Sequence, residues 1–224
     1  MSLQRLQVSS STVRLRSVSR VAHFDSSLDA ELQEPLWRDP ASLLTRGEDL
    51  RKKEARHTVR LTHGSQSLVL KHYAEPTRRH ALKQLVQPSR AWKTWEFTQR
   101  LADLGVATPR PVACVENRWG WLRRDSYLMY PYVEGETLRH HFHEAKKSPA
   151  LHERLWRQVD DLWNRLAELR VGLSDTNIGN FIVSPAGQLW LIDLDKSRFF
   201  KRDSDATRYQ ARARQQLLRS IAAA

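Results

Sequence analysis

The feature that most constrains the fold is a stretch of twenty residues, LHERLWRQVDDLWNRLAELR, in which apolar residues recur with the period of an α-helix. They occupy positions 151, 155, 156, 159, 162, 163, 166 and 169, which share one helix face. Two apolar runs, FIV and LWLIDL, flank SPAGQ and predict a β-hairpin. A last helix is predicted from about Asp205 to Ala222. This part of the chain is therefore predicted to be mostly helical, with one small hairpin.

The preceding part of the chain has the pattern of a β-sheet. The runs HTVRLT and SLVLKHY flank HGSQ and predict a hairpin with Gly64 in its turn, and PVACVENR and WLRRDSYLMYPYV predict two further strands. Between these pairs, the helix in AWKTWEFTQRLADLG is predicted to end at Gly105. The order predicts an α+β protein of two lobes: a small antiparallel β lobe at 51–132 and a reduced helical lobe at 133–224. Residues 1–50 form an N-terminal extension whose structure the pattern does not define.

Composition and charge narrow the class of protein. The chain has 224 residues, of which 40% are hydrophobic, so it can bury a core. The net charge of +12 predicts an anionic partner: nucleic acid, an anionic membrane surface or a phosphorylated substrate. The single cysteine, Cys114, excludes an intramolecular disulfide and a multi-cysteine zinc site, and we expect it to be buried. With no secretory signal and no membrane-spanning apolar run, we expect a cytoplasmic protein and leave peripheral membrane attachment open.

Five residues occur in the order that phosphoryl transfer from ATP requires. Lys71 ends a strand, Glu96 lies on the next long helix, and Asp175 and Asn180 have the spacing D-x-x-x-x-N. Asp193 follows Asn180 by thirteen residues, a gap that one β-hairpin fills, which would bring two oxygen ligands for Mg²⁺ together. Each residue alone has an ordinary alternative: a solvated lysine, a surface glutamate, or turn and capping residues. Their joint order favours a kinase-like site.

Several stretches together resemble one known family. SLVLKHY, SRAWKTWEFTQRLADLGVATPRPVA, SYLMYPYVEGETL, DTNIGNFIV and LWLIDLDKSRF are similar to the bacterial lipopolysaccharide core kinases. That family includes inner-core heptose kinases and 3-deoxy-manno-octulosonic acid (Kdo) kinases, and some relatives are labelled toluene-tolerance proteins. The resemblance spans roughly residues 55 to 222 and implies a protein-kinase-like fold.

The resemblance also implies a role for each matched residue. Lys71 would contact the ATP phosphates, and Glu96 would hold that lysine in place. Asp175 would be the catalytic base, while Asn180 and Asp193 would bind Mg²⁺. The residues that would meet the adenine lie on one strand and the linker after it: Met129, Pro131, Tyr132 and Val133.

Three positions depart from the kinase pattern. Leu173 stands where kinases usually carry a histidine that supports the loop. No G-x-G-x-x-G loop precedes Lys71, and residues 46–56 are either its replacement over the phosphates or an ordinary basic loop. In the sequence DLD, Asp195 is either a second metal ligand or a partner for Arg198, and the partner role is favoured. The charges that the replacement loop would bring to phosphate are those of Lys52, Lys53 or Arg56.

The acceptor is expected to be a sugar of the lipopolysaccharide inner core, heptose or Kdo, at the cytoplasmic face of the inner membrane. Only 31 residues follow Asp193, fewer than a protein kinase needs for its activation segment and later helices. Basic residues would gather beside the site and attract the polyanionic lipid A–core or an anionic membrane surface. Those residues are Arg198, Lys201, Arg202, Arg208, Arg212 and Arg214.

Two other functions stay open at this point. A phosphotransferase for an aminoglycoside or choline-like acceptor would use the same core, although cationic acceptors suit acidic sites better than a chain of charge +12. A pseudokinase or nucleic-acid-binding scaffold is the non-enzymatic alternative, suggested by Leu173 and the missing glycine loop. No recognisable nucleic-acid motif is present, so we expect no nucleic-acid partner. The oligomeric state is not predicted.

Overall fold

The structure is a computed structural model that describes residues 4–9, 12–53, 56–74, 87–120, 122–145 and 148–223. The chain divides into two compact units. The first comprises 1–96 and 110–132, and the second comprises 97–109 and 133–224. Among the described residues, no helix is both long enough and apolar enough to cross a bilayer.

The first unit is built on one antiparallel sheet of eight strands in the order β1-β2-β3-β7-β8-β6-β5-β4. The β5–β6 hairpin turns at Gly64, whose φ of 57° is the left-handed conformation that glycine adopts without strain. Strand β3 pairs with β7, which joins the start of the chain to the centre of the sheet. The strands are β1 (Gln4–Ser9), β2 (Thr12–Arg16), β3 (Arg20–Asp25), β4 (Glu48–Lys53), β5 (Arg56–His63), β6 (Gln66–Tyr73), β7 (Ala113–Trp119) and β8 (Leu122–Pro131).

Each face of this sheet carries its own core. Helices α1 (Ala30–Arg38) and α2 (Pro40–Leu44) cover one face and bury Leu32, Leu36 and Leu43 against it. The opposite face carries a row of directly paired residues across four strands, namely His23, Cys114, Leu128 and Lys71. Directly opposed residues in an antiparallel sheet project to the same side, so these four side chains share a face.

Helix α3 (Arg90–Asp103) covers the face that carries this row. Ala91 and Trp95 of α3 pack with Cys114 and Leu128 in a small core. Residues of α3 up to Glu96 belong to the first unit, and those from Phe97 belong to the second. Cys114 is fully buried, as expected from the sequence.

The second unit is mostly helical. Its core gathers Leu155, Val159 and Leu166 of the predicted amphipathic helix with Phe181 and Leu191 of the predicted hairpin. The hairpin turns at SPAGQ, and its first strand also pairs with a short strand earlier in the unit. The elements are β9 (Glu136–Thr137), α4 (Leu138–Ala145), α5 (Pro149–Glu168), β10 (Val171–Gly172), a 3₁₀ turn (Ile178–Asn180), β11 (Phe181–Val183), β12 (Leu189–Leu191), β13 (Arg198–Phe199) and α6 (Asp203–Ala222).

The sequence left the structure of residues 1–50 undefined. Among the described residues of this stretch, β2 and β3 pair into the sheet of the first unit, and α1 and α2 cover one face of it. One expectation about the start of the chain needs correction. Residues 48–53, expected to belong to a loop, form the edge strand β4 and are exposed throughout. The stretch had no alternating apolar pattern, so local sequence did not indicate a strand.

Candidate active site

Lys71 lies near the end of β6 and is almost completely buried, with 5% of its surface exposed. Its register partners are Thr58 on β5 and Leu128 on β8. The Lys71 Nζ atom lies 5.3 Å from the ring centre of Tyr73, two residues along the same strand face. A lysine is rarely buried unless its charge is compensated. The ordinary alternative, a solvated charge at a strand end, therefore does not apply.

Glu96 lies on α3, the helix that covers the same sheet face as Lys71. Its carboxylate is exposed at the surface of the first unit. Burial raises the pKa of the Cys114 thiol, and the negative charges of Glu116 and Glu96 raise it further. Because Cys114 and Lys71 lie in one row, the helix that carries Glu96 packs on the sheet face that carries Lys71.

The residues expected to meet adenine are divided between different environments. Met129 is fully buried in the core beneath α1 and α2, on the face opposite Lys71. Pro131, the last residue of β8, is exposed, and Tyr132 donates its backbone N–H to a carbonyl of β6 at 2.8 Å. Val133 begins the longer segment of the second unit. The structure thus assigns Met129 to the core and does not bring its side chain to the face of Lys71.

The segment that leads into the D-x-x-x-x-N motif is part of the second core. Arg170 ends the turn after α5 with a φ of 54°, and the chain then enters β10. Leu173 is buried with Val171 and Ile178 in this core. The position at which kinases usually carry histidine is therefore an apolar core position in this chain. The leucine therefore packs the start of the loop onto the core of the second unit.

Asp175 and Asn180 are held together by the local geometry of the loop. The Asp175 Oδ1 atom accepts a hydrogen bond from the Asn177 backbone N–H at 3.2 Å, and the carboxylate is exposed. The Asn180 Nδ2 atom donates to the Asp175 carbonyl at 3.2 Å. This bond uses the amide nitrogen of Asn180, so its Oδ1 oxygen is the atom left for a cation.

The hairpin brings the chain back beside Asn180, as the spacing predicted. Phe181 pairs with Leu191, and the Ile192 N–H donates to the Asn180 carbonyl at 2.9 Å. Asp193 follows immediately, with a φ of 54°. A non-glycine residue in this left-handed region is strained, and such residues are concentrated at functional sites.

Asp193 and Asn180 offer a carboxylate and an amide oxygen from adjacent segments. Mg²⁺ prefers oxygen ligands and is often held by one or two carboxylates together with phosphate and water. Within the described part of the chain, no group of three or more His, Cys, Asp or Glu side chains is placed to hold a metal by itself. The donor set therefore fits a cation that shares its ligands with a phosphate, and it does not resemble a closed structural metal site.

Asp195 and Arg198 follow Asp193 in the same unit. Asp195 is buried, and its backbone carbonyl accepts a hydrogen bond from the Ser174 hydroxyl at 2.6 Å. This bond ties the segment after Asp193 to the residue that precedes Asp175. The Arg198 guanidinium lies 5.4 Å from the ring centre of Phe200 and 5.2 Å from that of Tyr209.

Sequence reasoning missed a set of contacts between helix α6 and the loop. The Thr176 hydroxyl donates to the Ala213 carbonyl at 2.7 Å, and Thr176 is completely buried. The Ser220 hydroxyl accepts from the Ile178 N–H at 3.1 Å. Gln210 donates to the carbonyls of Leu166 at 2.9 Å and Val171 at 2.7 Å. The polar residues on α6 carried no local signal, since a helix surface normally holds such residues.

The basic residues expected near the site lie in the second unit and are exposed. Arg198 is on β13, whose partner β10 leads directly into the Asp175 loop. Arg214 pairs with Asp160 of α5 at 2.6 Å, so this charge is partly neutralised. The other exposed basic residues of this set are Lys201, Arg202, Arg208 and Arg212.

Comparison with known proteins identifies relatives of this chain. The model of the lipopolysaccharide kinase (Kdo/WaaP) family matches residues 35–224. A 3-deoxy-D-manno-octulosonic acid kinase of Vibrio cholerae serotype O1 is 24% identical over 110 residues, 49% of this chain and 45% of the relative. A second such kinase, from Xylella fastidiosa strain M12, is 27% identical over 127 residues, 57% of this chain and 48% of the relative. The chain thus spans about half the length of these curated relatives.

A solved structure shows the same fold. The chain described as WaaP in complex with acyl carrier protein matches with a TM-score of 0.64 at 20% sequence identity. The match covers 86% of this chain and 78% of that chain. It confirms the α+β, protein-kinase-like fold predicted from the sequence. Because the family match includes most of its residues, the chain belongs to the lipopolysaccharide kinase (Kdo/WaaP) family.

Proposed function

We propose that the chain is an ATP-dependent kinase that phosphorylates a hydroxyl of a lipopolysaccharide inner-core sugar. The observation that carries the proposal is local: Asn180 bonds to Asp175, and the hairpin returns the chain beside Asn180 one residue before Asp193, in a member of this kinase family. Between the two inner-core sugars, Kdo is favoured over heptose, since both curated relatives are Kdo kinases.

In this proposal Asp175 orients the acceptor hydroxyl and takes its proton. The exposed carboxylate suits this role, because it can reach a substrate while its backbone is held by Asn180. Asn180 Oδ1 and Asp193 would hold Mg²⁺, which supplies neutralisation of the phosphate charge when bound. Thr176 and Ser220 keep the loop against α6, so that the carboxylate stays in position during transfer.

On the first unit, Lys71 would contact the ATP phosphates and Glu96 would hold the lysine. The burial of Lys71 and the packing of α3 on its face support this pairing. Strands β4 and β5 would take the place of the missing glycine loop, with phosphate-binding charge from Lys52 and Lys53 at the exposed end of β4 or from Arg56 at the start of β5. Tyr132 and Val133 would meet the adenine through their backbone groups, as Pro131 would through its carbonyl.

The proposed acceptor is an anionic glycolipid, the lipid A–core, which is presented at the cytoplasmic face of the inner membrane. The net charge of +12 and the exposed arginines of the second unit support an anionic acceptor and peripheral attachment to an anionic surface. An acyl carrier protein is a further candidate partner, because the WaaP chain with the same fold is in complex with one.

The proposal is tested by transfer of phosphate from Mg-ATP to a Kdo-bearing lipid A acceptor, read by mass spectrometry. A heptose-bearing acceptor, an aminoglycoside and buffer alone serve as comparisons. We expect the Kdo acceptor to gain one phosphate, and we expect Asp193→Asn to reduce the rate by about a hundredfold or more. Asp161→Asn, an exposed carboxylate on α5, is the matched control and should leave the rate unchanged.

Two results would contradict the proposal. The first is full activity in Asp193→Asn, which would show that this carboxylate is not a required Mg²⁺ ligand. The second result is a wild-type protein that neither hydrolyses ATP nor transfers phosphate to any of the sugar acceptors, and whose melting temperature does not rise with Mg-ATP. This result would favour a scaffold function.

A further inference from the structure

Two large apolar side chains are exposed at one end of the first unit's sheet. Trp119, at the tip of the β7–β8 hairpin, is 79% exposed, and Val18, at the tip of the β2–β3 hairpin, is 69% exposed. They are the two most exposed of the large hydrophobic residues in the described part of the chain. Such exposure costs free energy in water, and it indicates a contact surface when the residues lie together.

The sheet holds the two hairpin tips side by side. Arg20 pairs with Asn117, and the Arg118 N–H then donates to the Ser19 carbonyl at 2.7 Å. The next positions outward along these neighbouring strands are Val18 and Trp119. The β2–β3 turn is closed by the Ser17 N–H, which donates to the Arg20 carbonyl at 2.8 Å.

Arginines supply the exposed charge around these tips, while the neighbouring acids Glu116 and Asp125 are buried and half-buried. Arg16 and Arg124 are exposed, and Arg118 and Arg123 are half-buried. Glu116 holds Arg118 at 2.8 Å and lies 3.8 Å from Arg123, but its carboxylate is buried beneath them. No acidic residue occurs in 16–19, 117–120 or 122–124. The tips therefore present tryptophan and valine within a surface of arginines.

This combination suits the interface of an anionic bilayer. Tryptophan is enriched at the headgroup level of membranes, where its ring is partly buried and its N–H remains wet. Arginine side chains attract anionic lipids, and each contributes to binding near the surface. Tryptophan and arginine are also enriched at protein interfaces. The exposed arginines of the tips, together with the net charge of +12, favour an anionic bilayer over a protein partner.

We propose that the paired tips of β2–β3 and β7–β8, with Trp119 and Val18 at their end, insert into the headgroup region of an anionic lipid bilayer. The inference deepens the proposed function, because it names the surface by which the kinase meets a membrane that holds its glycolipid acceptor. It differs from the expectation drawn from the sequence, which assigned membrane attraction to the basic residues around α6.

The test is co-sedimentation of the full chain with vesicles of phosphatidylcholine alone and with one quarter phosphatidylglycerol. We expect binding to the anionic vesicles, weakened about tenfold in Trp119→Ala by the loss of buried apolar area. Arg16→Gln should weaken it about fivefold on anionic vesicles and have no effect on neutral ones. Leu218→Ala, an exposed apolar residue on α6, is the matched control and should bind like the wild type.

The inference is overturned if Trp119→Ala binds anionic vesicles as well as the wild type, or if Leu218→Ala is the variant that loses binding. It is also overturned if Trp119→Ala changes a dimer to a monomer in sedimentation velocity while vesicle binding stays the same. Activity on a deacylated, soluble acceptor separates the two proposals. Trp119→Ala should retain activity on this soluble acceptor. If the wild-type protein bound anionic vesicles but had no kinase activity, the proposed function would fail and the membrane inference would stand.

Discussion

Thr176→Val removes one hydroxyl from the loop that carries Asp175 and keeps the shape of the side chain. Thr176 is completely buried, and its hydroxyl donates to the Ala213 carbonyl at 2.7 Å. A neutral hydrogen bond of this kind contributes about 1 kcal/mol to the free energy of unfolding. The Ala213 carbonyl keeps the helical bond from the N–H four residues later, so no acceptor is left without a partner. A loss of about 1 kcal/mol lowers the melting temperature by about 2–4 °C in a protein of this size.

Thr176→Val should also lower kcat, by more than the loss in the free energy of unfolding would suggest. Thr176 directly follows Asp175, and its hydroxyl fixes the loop to α6 at that point. A displacement of about 1 Å at a catalytic group can cost about a hundredfold in rate. We expect kcat to fall about tenfold, with the KM for ATP unchanged, because the residue does not lie among those proposed to bind ATP.

Thr176→Ser separates the two effects, because it keeps the hydroxyl and removes a buried methyl. Loss of that methyl also costs about 1 kcal/mol, so the melting temperatures of the two variants should be similar. Only Thr176→Val should have a lower kcat than the wild type. Steady-state kinetics and thermal unfolding of both variants provide the measurement. Equal kcat in the two variants would show that the hydroxyl does not position the loop.

Two further predictions concern stability. Burial, with the Arg14 charge in addition, lowers the pKa of His23 from 6.5 to about 4. The stability that depends on neutral His23 is therefore complete above pH 6.5 and declines as the pH falls to 4, by up to roughly 3 kcal/mol. In His23→Phe, the free energy of unfolding measured by urea denaturation should therefore depend less on pH over this range. Parallel pH profiles of the variant and the wild type would contradict the prediction. Gly135→Ala should cost about 3 kcal/mol or more, because Gly135 has a φ of 138° and a Cβ there would lie 2.3 Å from the Val183 carbonyl oxygen. Gly187→Ala, at a φ of 80° with open space around it, should cost only about 1 kcal/mol in the same thermal assay, and equal losses would exclude the steric argument.

The elements with strong local patterns were predictable. Helix α5 and the β11–β12 hairpin follow from the spacing of apolar residues and from the turn at Gly187. The return of the chain beside Asn180 also followed, because a hairpin of known length determines where its second strand ends. The fold class was predictable for the same reason, with the family resemblance in support.

Burial of charged residues was not predictable from local pattern. Lys71 occupies an alternating strand position that a solvated lysine could equally hold, and its burial on the face covered by α3 is a result of tertiary packing. Met129 was grouped with the adenine-binding residues because it precedes the linker, yet the alternation of β8 turns its side chain into the other core. The roles of Lys71, Glu96, Asp175, Asn180 and Asp193 remain proposals that the transfer assay addresses.

The sequence by itself determined the loop that carries Asp175 and Asn180 and the hairpin that leads to Asp193. Turn chemistry and apolar spacing act between residues close in the chain, and their energies are readable locally. Tertiary structure alone decided that β2 and β3 extend the sheet, that α6 anchors the loop through Thr176, and that Leu173 is a core residue. These contacts join segments that are distant in the chain. They are stabilised by the burial of apolar surface and by hydrogen bonds, which form only when both segments are folded.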